Sequence, residues 1–204
     1  MKEKFKISPL KSIDIILKEL DFLQYCTQKR NLSYELQYLN FLKELNDNYE
    51  IDKGLRSIFI RNIIICINNI IEYLLIISLS QIYNKSVKAI KSDRVKSLID
   101  QAKRNNIITK EFSKRLKFVN EKRNKIHPLK QIELDVKYFN ESDLQECIDV
   151  LDLLIAKLSE FFNSKNIEVE EEYQDKFEDC MYCATGGPFE NDSICPACHR
   201  IIIN

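Results

Sequence analysis

The chain has 204 residues, of which 45% are hydrophobic and 10% aromatic, so it can bury a core and is too apolar for an intrinsically disordered protein. Its 31 Lys and Arg balance its 31 Asp and Glu, so net charge points to no class of partner. The two signs are nevertheless separated: residues 85–125 hold 14 Lys or Arg against 4 acids, and residues 168–179 hold 7 acids against one Lys.

Residues 1–166 are predicted to form five to seven helices. Gly54 is the only glycine before residue 186, and Pro9 and Pro128 are the only prolines in this stretch. Apolar residues recur at the helical period along 13–23, 60–75 and 144–158, with shorter stripes at 95–99 and 112–119. Ser33 and Ser142 are predicted to begin helices, because a hydroxyl followed closely by Glu or Gln is typical of a helix N-terminus.

The most apolar segment, residues 58–80, is predicted to be a buried helix. It contains Arg61, Asn68 and Glu72, whereas a membrane span needs about 20 residues with few or no charges. Met1 is not followed by the pattern of a secretory leader, so we expect a cytoplasmic protein with no membrane partner.

Three cysteines occur singly on apolar helical stretches, at Cys26, Cys66 and Cys147. In the cytosol, disulfides are rare, and isolated cysteines in such surroundings usually behave as small buried hydrophobic residues. We therefore expect these three to pack in the core and not to act as nucleophiles.

Residues 118–128 combine basic residues with the only histidine outside the cysteine-rich tail, His127. A proline follows it, so the helix is predicted to end near Ile126. His127 then lies at a helix C-terminus, which favours the protonated imidazole, with Arg123 one turn back. Such a pair suits phosphodiester chemistry, because His can move protons and Arg can stabilise developing negative charge. The other interpretation is structural, a histidine that caps a terminal carbonyl.

The run from Arg123 through Asn124 to His127, with the long apolar helix that carries Glu72 and the basic helices, resembles a HEPN domain over residues 8–165. The resemblance implies an all-α bundle, usually a homodimer, and in many members a metal-independent endoribonuclease of toxin–antitoxin or antiphage defence systems. It also implies that His127 transfers protons, Arg123 stabilises the transition state and Asn124 orients the phosphate in a cleft shared by two chains. RNA is then the expected partner, and the basic segment would bind its backbone.

The spacing between Arg and His is shorter here than in the family signature, with three intervening residues. Lys122 has the family spacing but lacks the planar guanidinium. This departure favours a second interpretation, a non-catalytic RNA- or protein-binding module such as an antitoxin or a defence adaptor.

Arg61, Asn68 and Glu72 lie at i, i+7 and i+11 on one face of the long apolar helix. Buried charges need partners, so these residues predict either a buried polar network that supports the Arg–His pair or an exposed stripe. The sequence is compatible with both interpretations.

The tail contains two C-x-x-C pairs, Cys180 with Cys183 and Cys195 with Cys198, separated by eleven residues. Two such pairs give the tetrahedral four-thiolate coordination of structural zinc, and they leave no open position for catalysis. Disulfides, free thiols or His199 as a ligand are weaker alternatives. We therefore predict a zinc ribbon with β-hairpin knuckles over residues 180–204, joined by an acidic linker at 167–179 to the helical domain at 1–166.

The role of the ribbon has several interpretations. It either stabilises the C-terminus or docks a protein or nucleic acid, with Tyr182, Phe189 and Arg200 as candidate contacts. DNA binding through the ribbon is a further alternative, and it predicts an affinity that falls steeply with salt.

Overall fold

The computed structural model describes residues 10–23, 27–91, 94–124 and 139–165, which form helices with no strand among them. The helices are α1 (Ile13–Glu19), α2 (Thr27–Asn48), α3 (Lys53–Tyr83), α4 (Val87–Lys91), α5 (Val95–Arg104), α6 (Lys110–Asn124) and α7 (Glu141–Lys165). The all-α prediction is confirmed for this part of the chain. The predicted acidic linker and zinc ribbon lie outside the described residues.

Helix α3 is the centre of the bundle. It contacts α2, α4, α5, α6 and α7, and its Ile63, Ile67 and Leu74 side chains are fully buried. The segment Leu55–Tyr83 is long and apolar enough to cross a membrane, yet 78% of its most apolar window is buried inside the protein. The predicted buried helix is thus confirmed, and its apolar surface is covered by the other helices.

Two helices end on asparagine instead of glycine. Asn84 after α3 and Asn106 after α5 have positive φ angles of 49° and 57°. In each case the next residue donates its N–H to a carbonyl five residues back, Lys85 to Ser80 and Ile107 to Ala102. This is the Schellman motif, in which a left-handed residue lets the chain satisfy the last carbonyls of a helix. It explains how a chain so poor in glycine can still turn sharply.

The two predicted helix starts need correction. Helix α2 begins at Thr27, and Ser33 lies buried inside it, where its hydroxyl donates to the Arg30 carbonyl at 2.7 Å. A hydroxyl that is satisfied by a carbonyl of the preceding turn is compatible with a helix interior, so Ser33 does not mark a start. Helix α7 begins at Glu141, and its cap is Asn140, whose side-chain oxygen accepts from the Asp143 N–H at 2.9 Å.

Cys66 and Cys147 are buried, as predicted. Burial raises the pKa of each thiol from 9.0 to about 12, because the thiolate would lose its hydration. The negative charge of Glu35 adds to this effect at Cys66. Both are therefore core residues with little thiolate character, whereas Cys26 lies outside the described residues.

Candidate functional site

A surface cavity of about 420 Å³ lies where α3, α5 and α6 meet. Glu72 of α3, the start of α5 from Arg94 to Lys96, and Asn120, Arg123 and Asn124 of α6 form its wall. Its volume falls within the range of about 300–1,000 Å³ typical of ligand pockets. Three cations and one carboxylate of the described chain line it, so these residues favour an anionic ligand.

The α6 wall of the cavity is one helical face. Asn120, Arg123 and Asn124 are spaced at i, i+3 and i+4, which places their side chains next to one another. The Arg123 guanidinium donates to the Asn124 side-chain oxygen at 3.4 Å, a long hydrogen bond. No carboxylate among the described residues pairs with Arg123, so the donors of its guanidinium are available to a ligand.

The preceding residue, Lys122, has a different environment. Its ammonium lies 2.6 Å from an Asp143 carboxylate oxygen on α7, and the two side chains are only 15% and 16% exposed. The ammonium also lies 5.4 Å from the centre of the Phe118 ring. Lys122 therefore joins α6 to α7. Because its ammonium is bound to Asp143, Lys122 cannot take the place of Arg123 at the site.

Other cations of the basic segment are paired as well. Arg115 binds Glu146 of α7 at 2.8 Å, and Lys117 binds Asp100 of α5 at 2.8 Å. Arg94 and Lys96, by contrast, are exposed at the cavity and form no ion pair within the described ranges. Some cations of the basic segment thus join helices, whereas Arg94, Lys96 and Arg123 line the cavity.

The predicted polar face of α3 is neither an exposed stripe nor a continuous network. Asn68 is 1% exposed, and neither atom of its amide has a hydrogen-bond partner in the part of the chain that the structure describes. Glu72 reaches the cavity wall beside Arg123, without an ion pair to any described residue. Arg61 is half-buried. Only Glu72, one of the three, therefore contributes to the cavity.

Helix α5 begins at the cavity wall. Arg94 is its N-cap residue, with φ −71° and ψ 149°, and no side-chain hydrogen bond caps the helix. The first N–H groups of a helix lack partners within the helix, and the helix dipole gives this end partial positive charge. Backbone donors at Val95 and Lys96 therefore add to the positive potential of the cavity.

Glu72 also lines a second, smaller cavity of about 250 Å³ between α2 and α3, together with Glu35, Asn69, Tyr73 and Ile76. Of the residues that the structure describes, two carboxylates and no cation line it, so it does not suit an anion. Within the described ranges no three His, Cys, Asp or Glu side chains cluster as they would around a metal ion.

The predicted site is thus placed in part. Arg123 and Asn124 come together at a cavity, whereas His127 and the zinc ligands Cys180, Cys183, Cys195 and Cys198 lie outside the described residues. Arg94, Lys96 and Asn120 were not singled out from the sequence. For Asn120 the available signal was its position one turn before Arg123 on the same helix.

No family model, no curated protein and no solved structure matches the chain.

Proposed function

We propose that this protein is a HEPN-like, metal-independent endoribonuclease of a toxin or antiphage defence system that acts as a homodimer. The observation that carries the proposal is the position of Arg123 and Asn124, on the wall of a cation-lined cavity with no carboxylate from the described residues bound to the guanidinium. A planar guanidinium that no carboxylate occupies can donate hydrogen bonds to two oxygens of one phosphate.

Each residue has a role in this proposal. Arg123 stabilises the charge that develops on the phosphorane oxygens, and Asn124 orients the phosphate through its amide. His127 moves a proton between the 2′-hydroxyl and the 5′-oxygen that leaves. The 2′-oxygen forms a bond to phosphorus as the bond to the 5′-oxygen breaks, which gives a 2′,3′-cyclic phosphate and a 5′-hydroxyl end.

The charge distribution agrees with a polyanionic substrate. Cations that line the cavity on two different helices, Arg94 and Lys96 on one side and Arg123 on the other, can contact consecutive parts of a phosphodiester backbone. Glu72 is the one acid among the described residues of the wall, and it lies on the α3 side. The backbone would therefore follow the α5 and α6 sides.

Cleavage of a mixed-sequence RNA in the presence of EDTA tests the proposal. Wild type is expected to cleave, and His127→Ala and Arg123→Ala to lose at least about 10²-fold in rate. Lys18→Ala is the control, since Lys18 is an exposed residue of α1 outside the basic segment. Equal cleavage by all four proteins would overturn the nuclease assignment, because a contaminating enzyme would then explain it.

The second candidate function is non-catalytic binding of RNA or protein, as in an antitoxin or a defence adaptor. The three-residue spacing between Arg123 and His127 favours it. In that case the wild type would bind RNA without cleaving it, or would bind a protein partner through the tail and lose that partner on truncation at Asp179. The cytoplasm is the proposed location for both functions, and zinc bound by the four tail cysteines is structural in both.

A further inference from the structure

We propose that the N-terminus of α5, together with Asn120, binds a second backbone phosphate of the RNA beside the phosphate that Arg123 contacts. This inference rests on the proposed function in taking RNA as the source of the phosphate. The two sites share one cavity but use different groups, so they can be tested separately.

The first support is the helix terminus itself. Helix α5 has ten residues, its N-cap Arg94 supplies no capping hydrogen bond, and its first turn lines the cavity at Val95 and Lys96. Successive N–H groups at a helix N-terminus are well placed to donate to the oxygens of one phosphate. Leu98 donates its N–H to the Arg94 carbonyl, and no described residue accepts from the N–H groups of Val95, Lys96 and Ser97 before it.

The second, independent support is Asn120 on the opposite wall. Asn120 is 5% exposed and lines the cavity, and its side chain makes no hydrogen bond to any residue that the structure describes. An amide so largely enclosed usually has a hydrogen-bond partner in native proteins. Its NH₂ group can donate to a phosphate oxygen, which gives this amide a partner when the cavity is occupied.

The side chains of Arg94 and Lys96 complete the site. Both are exposed and form no ion pair with the described residues, so a phosphate need not compete with a protein carboxylate for them. Backbone and amide donors would set the position of the phosphate, while the two cations would supply attraction that weakens with salt.

NMR titration of the full-length protein tests this site. The probe is a 2′-O-methyl RNA oligonucleotide, which lacks the 2′-hydroxyl nucleophile and so separates binding from cleavage. The backbone amides of Val95, Lys96 and Ser97 and the side-chain amide of Asn120 are expected to shift and to saturate together. Inorganic phosphate, titrated separately, is expected to move the same signals at higher concentration.

Two variants give a second measurement by RNA affinity. Asn120→Asp keeps the shape of the side chain but replaces its donor with negative charge, and it is expected to weaken binding at least about tenfold. Lys96 is exposed, so the Lys96→Ala variant should fold normally. This variant is expected to lower the slope of log affinity against log salt by about one. Lys18→Ala, outside the cavity, should change neither quantity.

The outcomes separate the two proposals. If the α5 and Asn120 signals stay fixed while the Arg123 side chain responds to RNA, the second site is wrong and the nuclease proposal stands. If these signals shift with RNA but natural RNA is not cleaved, the second site stands and the nuclease proposal fails. Shifts with inorganic phosphate alone would overturn the assignment of the site to RNA.

Discussion

The Lys122 ammonium and the Asp143 carboxylate, 2.6 Å apart, join the last turn of α6 to the first turn of α7. Consecutive residues of a helix project about 100° apart, so Lys122 and Arg123 cannot face the same neighbour. With Lys122 held on α7, Arg123 faces the cavity beside α3 and α5. A residue outside the cavity thus positions the guanidinium on which the proposed function depends.

Lys122→Met is expected to lower the free energy of unfolding by about 2–3 kcal/mol, because Asp143 would remain mostly buried without its cation. Urea denaturation measures the change. Lys11→Met is the matched control: Lys11 pairs with Glu19 at 2.7 Å, but the two side chains are 53% and 52% exposed, so the loss should stay below about 1 kcal/mol. Equal losses in the two variants would contradict a structural role for the Lys122 pair.

Asn68→Leu is expected to raise the free energy of unfolding by about 1–2 kcal/mol. The Asn68 amide is buried without a partner among the described residues, and an apolar side chain of similar volume removes its desolvation cost. Asn105→Leu should have the opposite effect, since the Asn105 amide donates to the Tyr83 hydroxyl at 2.7 Å and to the Gln101 carbonyl at 2.8 Å. Destabilisation by both changes would mean that the Asn68 amide has a role in folding.

The buried thiols predict a dependence of stability on pH. Cys66 and Cys147 ionise near 9.0 when unfolded and, because of burial, have a pKa of about 12 in the folded protein. Their contribution to stability is complete below the unfolded pKa and is lost as the pH rises from 9.0 towards 12, where only the unfolded chain releases these protons. Denaturation midpoints should fall across this window, and fall less in Cys66→Ala.

Alkylation with iodoacetamide at about pH 8, read by peptide mass spectrometry, provides a direct check on the thiols. The peptides that carry Cys66 and Cys147 should stay unmodified in the native protein and react fully after denaturation. Rapid native modification of either peptide would show that its thiol is accessible and contradict its burial.

Zinc content tests the prediction for the tail. The purified protein is expected to hold one zinc per chain, and Cys195→Ser should lose it because three thiolates bind far more weakly than four. Cys66→Ala also removes one cysteine but should retain the metal. Chelation should leave RNA cleavage unchanged, since the zinc is assigned no part in the reaction. Full zinc retention by Cys195→Ser would exclude the four-cysteine site.

The sequence predicted the helices with long apolar stripes, because burial against several neighbours imposes a regular period on α3 and α7. The helix ends were predicted less well, because local hydrogen bonds determine the residue at which a helix begins or ends. Asn84 and Asn106 end α3 and α5 without glycine, and Asn140 caps α7 in place of the serine that the pattern favoured. Asparagine suits both kinds of position, so its identity alone does not tell which end of a helix it marks.

The site was only partly predictable for a different reason. Arg123 and Asn124 belong to a local motif, but the cavity also needs Glu72 and Arg94, which are distant in sequence and meet only through the packing of α3, α5 and α6. Counting charges in the sequence also could not show that Lys122 forms an ion pair while Arg123 lines the cavity. The distinction depends on Asp143, which reaches Lys122 from another helix.

The central position of α3 has a consequence for local motion. Five neighbouring helices contact it, so its middle turns cannot open without disrupting most of the core. Backbone amides near Ile67 and Leu74 should therefore exchange with solvent deuterium only through global unfolding. Helix α1, which contacts only α2 among the described helices, should exchange through smaller openings. The cavity then has one slowly exchanging wall, at Glu72, and its α5 and α6 walls are the ones able to adjust to a ligand.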